Sequence, residues 1–181
     1  CQRQMPMEQG IPSLLREEDA RRLAGFSAQY REARLRDGWR PMTGEQLLAL
    51  PFGHPPGFQA LYWETRRRSF EALWRILQRQ GPRPEDGPVV DLGAGFGWLA
   101  YRLAQAGYRV VAIEASTDEF FGLGAARAYL GAGISFLPVQ GNLESPPLRS
   151  QSASLIVLSA SLHYARDLDA TLRRCALALK P

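Results

Sequence analysis

Val89-Val90-Asp91-Leu92-Gly93-Ala94-Gly95-Phe96-Gly97-Trp98 is the stretch that decides the fold. Its first four residues, apolar except for one aspartate, read as a short buried strand. Three glycines in alternation then make a turn that a chain with Cβ atoms could not make as tightly. From Trp98 to Ala106 the pattern is helical. The same rhythm continues outward. Arg109–Glu114 reads as a second strand and Thr117–Leu130 as a helix capped by Ser116 or Thr117. Ile134–Val139 is a third strand, Leu155–Leu158 a fourth, and Asp167–Leu179 a closing helix. Strands alternating with helices of this length predict an α/β fold with a doubly wound parallel sheet and helices on both faces. Right-handed crossovers place the strand C-termini along one edge, where such sheets bind ligands.

Two features of that edge narrow the ligand. Glu114 closes the second strand, 23 residues after Asp91. A carboxylate there can accept hydrogen bonds from both hydroxyls of a ribose. The turn itself spells Gly-x-Gly-x-Gly behind an aspartate, whereas dinucleotide enzymes favour Gly-x-Gly-x-x-Gly facing a pyrophosphate. Asp91 would repel a pyrophosphate and attract an ammonium group. The residues therefore favour a cationic, phosphate-free nucleoside and disfavour an NAD-dependent oxidoreductase.

Val89 to Ser116 resembles the first two motifs of the class I S-adenosylmethionine-dependent methyltransferases. The resemblance continues in order over about half of the chain. Gln140-Gly141-Asn142-Leu143-Glu144-Ser145-Pro146-Pro147-Leu148 is similar to the third motif, with Asn142 where the family usually has Asp. Ala153 to Tyr164 resembles the fourth motif, with Ser159 where the family often has Asn, and Leu172 to Pro181 resembles the helix leading to its Leu-Lys-Pro-Gly-Gly turn. The resemblance implies a Rossmann-like sheet and S-adenosylmethionine as cofactor. It also implies contacts from Asp91, Gly93, Ala94, Gly95, Gly97, Glu114, Ala115, Asn142, Leu143, Ser159 and Leu162. Asp91 would order the glycine loop and attract the amino-acid end, Glu114 would hold the ribose, and Ala115, Asn142 and Leu143 would meet the adenine. Ser159 and Leu162 would lie near the methionine part. Catalysis by positioning and desolvation makes a general base optional. His163, after the fourth strand, and Tyr30, in a helix expected to fold over the cofactor, are the two catalytic candidates. The alternatives are a histidine that fixes its turn and an aromatic that only packs.

The region before Pro88 reads differently. Residues 1–16 look like either the tail of a zinc-ribbon-like module ending in Gly10-Ile11-Pro12, with Cys1 a leftover ligand, or an extended terminus. No metal is expected to bind here, since zinc needs about four ligands. Residues 17–87 form a helical cap region with helices over Glu17–Arg36 and about Phe58–Gln80, and residues 88–181 form the cofactor-binding domain. Tyr62, Trp63 and Arg66 are either acceptor-pocket residues or the buried side of a helix with its arginine in water. Arg66-Arg67-Arg68 reads as a solvated face, and His54 sits in a proline-rich loop with no partner in sequence. The family's sheet normally continues past Lys180-Pro181, so the C-terminal strands are expected to be missing. A sheet without them exposes an edge that a dimer contact or another covering partner would protect.

Composition sets the outer limits. The chain has 181 residues, 45% hydrophobic and 22% charged, which suits one domain that buries roughly 70% of its unfolded surface. No apolar run of ~18 residues predicts a membrane span, and no apolar leader opens the chain, so a cytoplasmic setting is expected. Two cysteines exclude a disulfide framework, and Cys175 reads as a small buried hydrophobe. A net charge of +4, with Lys180 the only lysine, permits RNA without implying it. The expected function is methyl transfer to a small-molecule acceptor. The alternatives are methylation of a ribosomal RNA base, or an inactive methyltransferase-like scaffold that binds a partner.

Overall fold

The structure, a computed structural model, describes residues 5–23, 25–53 and 59–181. Cys1, His54 and the expected helix start at Phe58 lie outside the described residues. The glycine-led stretch forms the centre of the fold. Strand β3 (Val89–Leu92) is buried along its whole length. It pairs in parallel with β4 (Val110–Glu114) on one side and with β6 (Leu155–Val157) on the other. Beyond β4 lies β5 (Leu137–Gln140), also parallel, so the four strands stand in the order β5-β4-β3-β6. Neighbouring strands β3 and β6 are not consecutive in sequence, so the connections reverse direction between them, which is the switch point of the sheet.

Alternation along the strands divides the core in two. Val89, Val110 and Ala112 face a large cluster with Trp63, Phe70 and Leu77 of helix α4 (Gln59–Gln80) and Leu99 and Leu103 of α5 (Trp98–Gln105). Val90, Leu92, Ile113 and Val139 face a smaller cluster with Cys175 of α7 (Leu168–Ala178). Burial on both faces is what a parallel sheet requires. Cys175 is buried, and burial pushes its thiol pKa up. Asp167 caps α7, its carboxylate accepting from the Ala170 N–H at 2.9 Å.

The N-terminal region wraps the sheet. A two-stranded hairpin, β1 (Met7–Glu8) with β2 (Ile11–Pro12), turns at Gln9 and Gly10. Ser13 then bridges Gln140 in parallel, and the Leu14 N–H donates to the Gln140 carbonyl at 2.9 Å. That contact covers part of the open side of β5. Helix α3 (Gly44–Ala49) begins with a capping box between Thr43 and Gln46, and Arg102 fastens its end to the sheet layer through the carbonyls of Leu48 and Leu50.

Two expected helices differ from the sequence reading. The helix over 17–36 is divided into α1 (Glu17–Leu23) and α2 (Phe26–Arg36), with Gly25 at the start of the second. Glycine costs about 1 kcal/mol in a helix interior, which favours a break there. The helix over Thr117–Leu130 is absent from its first half. The Asp118 carboxylate accepts the N–H groups of Phe120 and Phe121, and the Ser116 hydroxyl accepts from Asp118. These side chains hold the backbone in a turn that competes with helix. Only a 3-10 turn (Leu123–Ala126) and the short α6 (Arg127–Gly131) follow.

Candidate functional site

The C-terminal ends of β3, β4, β5 and β6 open into one cavity of about 330 Å³. Its floor is the glycine turn. Gly93 has φ +76°, and a Cβ built there would stand 2.3 Å from Ser161 Cβ. Ser161 cannot retreat easily, because its hydroxyl donates to the Leu92 carbonyl at 2.7 Å. Gly95 has φ +55° with nothing within 4 Å of a built Cβ, so its backbone faces open space. Gly93, Ala94 and Gly95 line the cavity, together with Glu114, Ala115, Asn142, Leu143 and Ser159. Eight of the eleven expected cofactor residues therefore meet at one place. Asp91, Gly97 and Leu162 do not line it.

Asp91 is buried behind the turn and accepts a hydrogen bond from the Ala100 N–H at 3.2 Å. That amide belongs to the first turn of α5, so the carboxylate meets the positive end of a helix. Burial, with the nearby Glu114 charge as a smaller addition, pushes its pKa up to about 7. Glu114 sits one strand over. Its Oε2 accepts from the Gly95 N–H at 2.9 Å, and its Oε1 accepts from the N–H groups of Ala115 and Ser116 at 2.8 and 3.1 Å. Burial raises its pKa while these three amides oppose the rise. A carboxylate has about four acceptor positions. Three are used, so one remains for a ligand hydroxyl.

Asn142 is placed by a polar cluster that links the loop after β5 to α1. Its amide donates to Asp19 at 2.8 Å and to Ser145 at 3.2 Å, and its oxygen accepts from the Glu144 N–H at 3.0 Å. Ser145 also donates to Asp19. Glu144 binds Arg22 at 2.8 Å and Arg166 at 3.4 Å, and accepts the backbone N–H of Arg166. Burial opposes ionisation of Glu144, but these donors outweigh it and hold the pKa down to about 2. Together they fasten α1 over the rim of the cavity. The sequence offered no signal for Asp19, Arg22 or Glu144 beyond their charge.

The opposite wall is aromatic. Phe26, Tyr30 and Arg34 recur every four residues on α2 and all line the cavity, as one helix face must. Tyr62, Trp63 and Arg66 of α4 line it from the other side, with Trp39 and Tyr164 between. Trp39 and Tyr62 meet edge to face at 4.6 Å, and Tyr30 and Tyr164 at 6.3 Å. Burial pushes the Tyr30 phenol up to about 12, and its oxygen accepts from Arg34 at 2.7 Å. His163 is exposed, lies against Tyr164 in a tilted contact at 4.1 Å and does not line the cavity. The run Arg66-Arg67-Arg68 divides. Arg67 and Arg68 pair with Glu64 and Glu71 outside, while Arg66 turns inward over Tyr62 at 3.6 Å. In the loop after β6, Ala160 has φ +53° and also lines the cavity, a strained conformation of the kind found where a site over-determines its backbone.

Comparisons with known proteins bear on the fold and the family. No curated protein gives a significant match. Among solved structures, the fold is similar to a protein from Methanococcus maripaludis assigned to the S-adenosyl-L-methionine-dependent methyltransferases. The TM-score is 0.53 and the identity 25%, covering 60% of this chain and 49% of that one. The YcgJ protein from Bacillus subtilis gives a TM-score of 0.52 at 24% identity, covering 61% of this chain and 47% of that one. A Haloferax volcanii complex between a methyltransferase and its Trm112 activator gives 0.50 at 20% identity, covering 65% and 51%. The last two carry the fold alone. The chain spans about half the length of these structures. Residues 89–181, about half of the chain and the part that carries the sheet, the glycine turn and Glu114, match the family described as a methyltransferase domain. The chain belongs to that methyltransferase-domain family.

Proposed function

We propose that this chain binds S-adenosylmethionine at the switch point of the sheet and directs its methyl group to a small-molecule acceptor. One observation carries the reading: Gly93–Gly95, Glu114, Asn142–Leu143 and Ser159, drawn from four separate strand ends, line a single cavity. The cavity suits the cofactor chemically. The remaining acceptor position on Glu114 matches a ribose hydroxyl, and the open backbone at Gly95 leaves room for the nucleoside. Leu143 and Ala115 offer apolar surface for an adenine whose edge faces Asn142, and Asp91 lies behind the amino-acid end, where it supplies negative charge as pH rises past about 7. When bound, the cofactor supplies an electrophilic methyl group on a sulfonium. The protein's part is to orient the acceptor and exclude water.

Tyr30 and the wall from α2 and α4 form the acceptor side in this reading. An RNA base is less well served, since Arg67 and Arg68 are spent on carboxylates and Arg66 faces inward. The open side of β6 remains a place for a second copy or another partner to cover. No described helix is long and apolar enough to cross a membrane. Calorimetry with S-adenosylmethionine, S-adenosylhomocysteine and NAD tests the reading. Micromolar binding of the first two, lost in Glu114→Ala, is the expected result. Equal binding of NAD, or no binding by folded protein, refutes it.

A further inference from the structure

The charges around the cavity do not balance internally. Four arginines, Arg22, Arg34, Arg66 and Arg166, and two glutamates, Glu114 and Glu144, line it. Arg22 and Arg166 both pair with Glu144, and the Glu114 carboxylate is held by backbone amides. Arg34 and Arg66 have no carboxylate within ion-pair distance among the described residues, and the remaining residues of the chain include no Asp or Glu. Both guanidiniums are half-buried.

Their surroundings offset the burial unequally: at Arg34 burial is outweighed by the neighbouring phenol oxygens of Tyr30, Tyr164 and Tyr62, which raise its pKa, whereas at Arg66 burial prevails. Arg34 lies 4.8 Å from the ring centres of Tyr30 and Trp39, and Arg66 lies 3.6 Å from that of Tyr62 and 5.5 Å from that of Trp63. Such faces attract a cation by about 0.5–2 kcal/mol each. Two like charges sharing one sheltered wall remain costly without a counter-charge. Burial lowers the pKa of Arg66, and the neighbouring Arg34 charge lowers it further. Hydrogen-bonding capacity is also left over. Arg34 donates only to the phenolic oxygens of Tyr30 and Tyr164, and Arg66 makes no hydrogen bond among the described residues. A guanidinium carries five N–H donors in a planar fork suited to carboxylate and phosphate.

We propose that the methyl acceptor is a small molecule bearing a carboxylate or phosphate on an aromatic or apolar frame, and that Arg34 and Arg66 together hold its anionic group. The aromatic rings then contact the frame, and the anion supplies the counter-charge that the two guanidiniums lack. This inference rests on the methyltransferase reading for the word acceptor, but the anion site stands on its own geometry.

Calorimetric titration of the full chain with benzoate, phenyl phosphate, benzyl alcohol, benzylamine and inorganic phosphate tests it, with S-adenosylhomocysteine titrated separately. The expected result is that benzoate or phenyl phosphate binds at least tenfold tighter than benzyl alcohol and benzylamine, and tighter than inorganic phosphate. Arg34→Gln and Arg66→Gln each weaken that binding tenfold or more. Arg66→Lys, which keeps the charge and guards against misfolding of the glutamine variant, retains part of it. Arg68→Gln, on the outer face, leaves it unchanged. Equal binding of the neutral alcohol, or anion binding that survives both glutamine substitutions, overturns the proposal. So does inorganic phosphate binding as tightly as phenyl phosphate, because the frame then contributes nothing. S-Adenosylhomocysteine binding without anion selectivity sinks this inference alone. Anion selectivity without that binding sinks the cofactor reading and leaves the anion site standing.

Discussion

Asp91→Asn separates the electrostatic cost of the glycine turn from its geometry. The carboxyl is about 1% exposed and is raised from an ordinary 3.8 to about 7. The folded protein therefore keeps a proton between about pH 4 and 7 that the unfolded chain has released. Stability from this group is fullest below the unfolded value, falls as pH rises toward 7, and is level above it. At ~1.4 kcal/mol per unit, the full shift corresponds to about 4 kcal/mol. That is a large share of the ~5–15 kcal/mol by which a domain is stable. Asparagine keeps an oxygen for the Ala100 N–H and carries no charge. Urea unfolding of both proteins from pH 4 to 8 measures the difference, in which other titrating groups largely cancel. The variant should match the wild type near pH 4 and exceed it by up to about 4 kcal/mol at pH 8. It should also bind S-adenosylhomocysteine more weakly at pH 8, trading function for stability. Parallel stability profiles, or a wild type more stable than the variant at pH 8, refute the argument.

Other substitutions probe separate parts of the site. Gly93→Ala places a methyl against Ser161 at a positive φ. It should cost ~1–2 kcal/mol for the backbone and ~1–3 kcal/mol for crowding, read as a lower urea midpoint with an unchanged slope. Glu144→Gln loosens α1 from the cavity rim and should raise the rate at which trypsin cleaves at Arg16 or Arg21. Because hydrogen bonds from Arg22 and its neighbours hold Glu144 at about 2, the docked state gains stability above the unfolded carboxyl range. That gain is lost progressively between the ordinary value of 4.5 and about 2 and is still largely present at pH 4, so onset of rapid cleavage by pepsin at pH 4 would contradict it. Asp167→Ala removes the cap of α7 and should lower stability by about 1 kcal/mol, without changing S-adenosylhomocysteine affinity.

The sheet and the strand-end side of the cavity were legible because they are written in local terms. A four-residue apolar strand, a glycine turn that only such residues can make, and a carboxylate at the end of the next strand occur within 26 residues of one another, from Val89 to Glu114. The helix expected over Thr117–Leu130 was not legible, because Asp118 and Ser116 satisfy the local amides through their own side chains. Sequence periodicity does not register that competition.

The aromatic and arginine wall depends on contacts between distant residues. Tyr30 and Tyr62 were candidates from their positions alone, but Arg34 drew no notice and Arg66 read as one of three solvated arginines. Only the tertiary arrangement that brings faces of α2 and α4 to the same cavity turns these two guanidiniums into it while leaving Arg67 and Arg68 paired outside. The chain by itself therefore determined the fold class and which strand-end residues meet at the glycine turn, since strand alternation and turn stereochemistry act over a few residues. Tertiary structure alone decided which charges are left unpaired, since a missing counter-ion is a property of everything within a few ångströms and not of any segment.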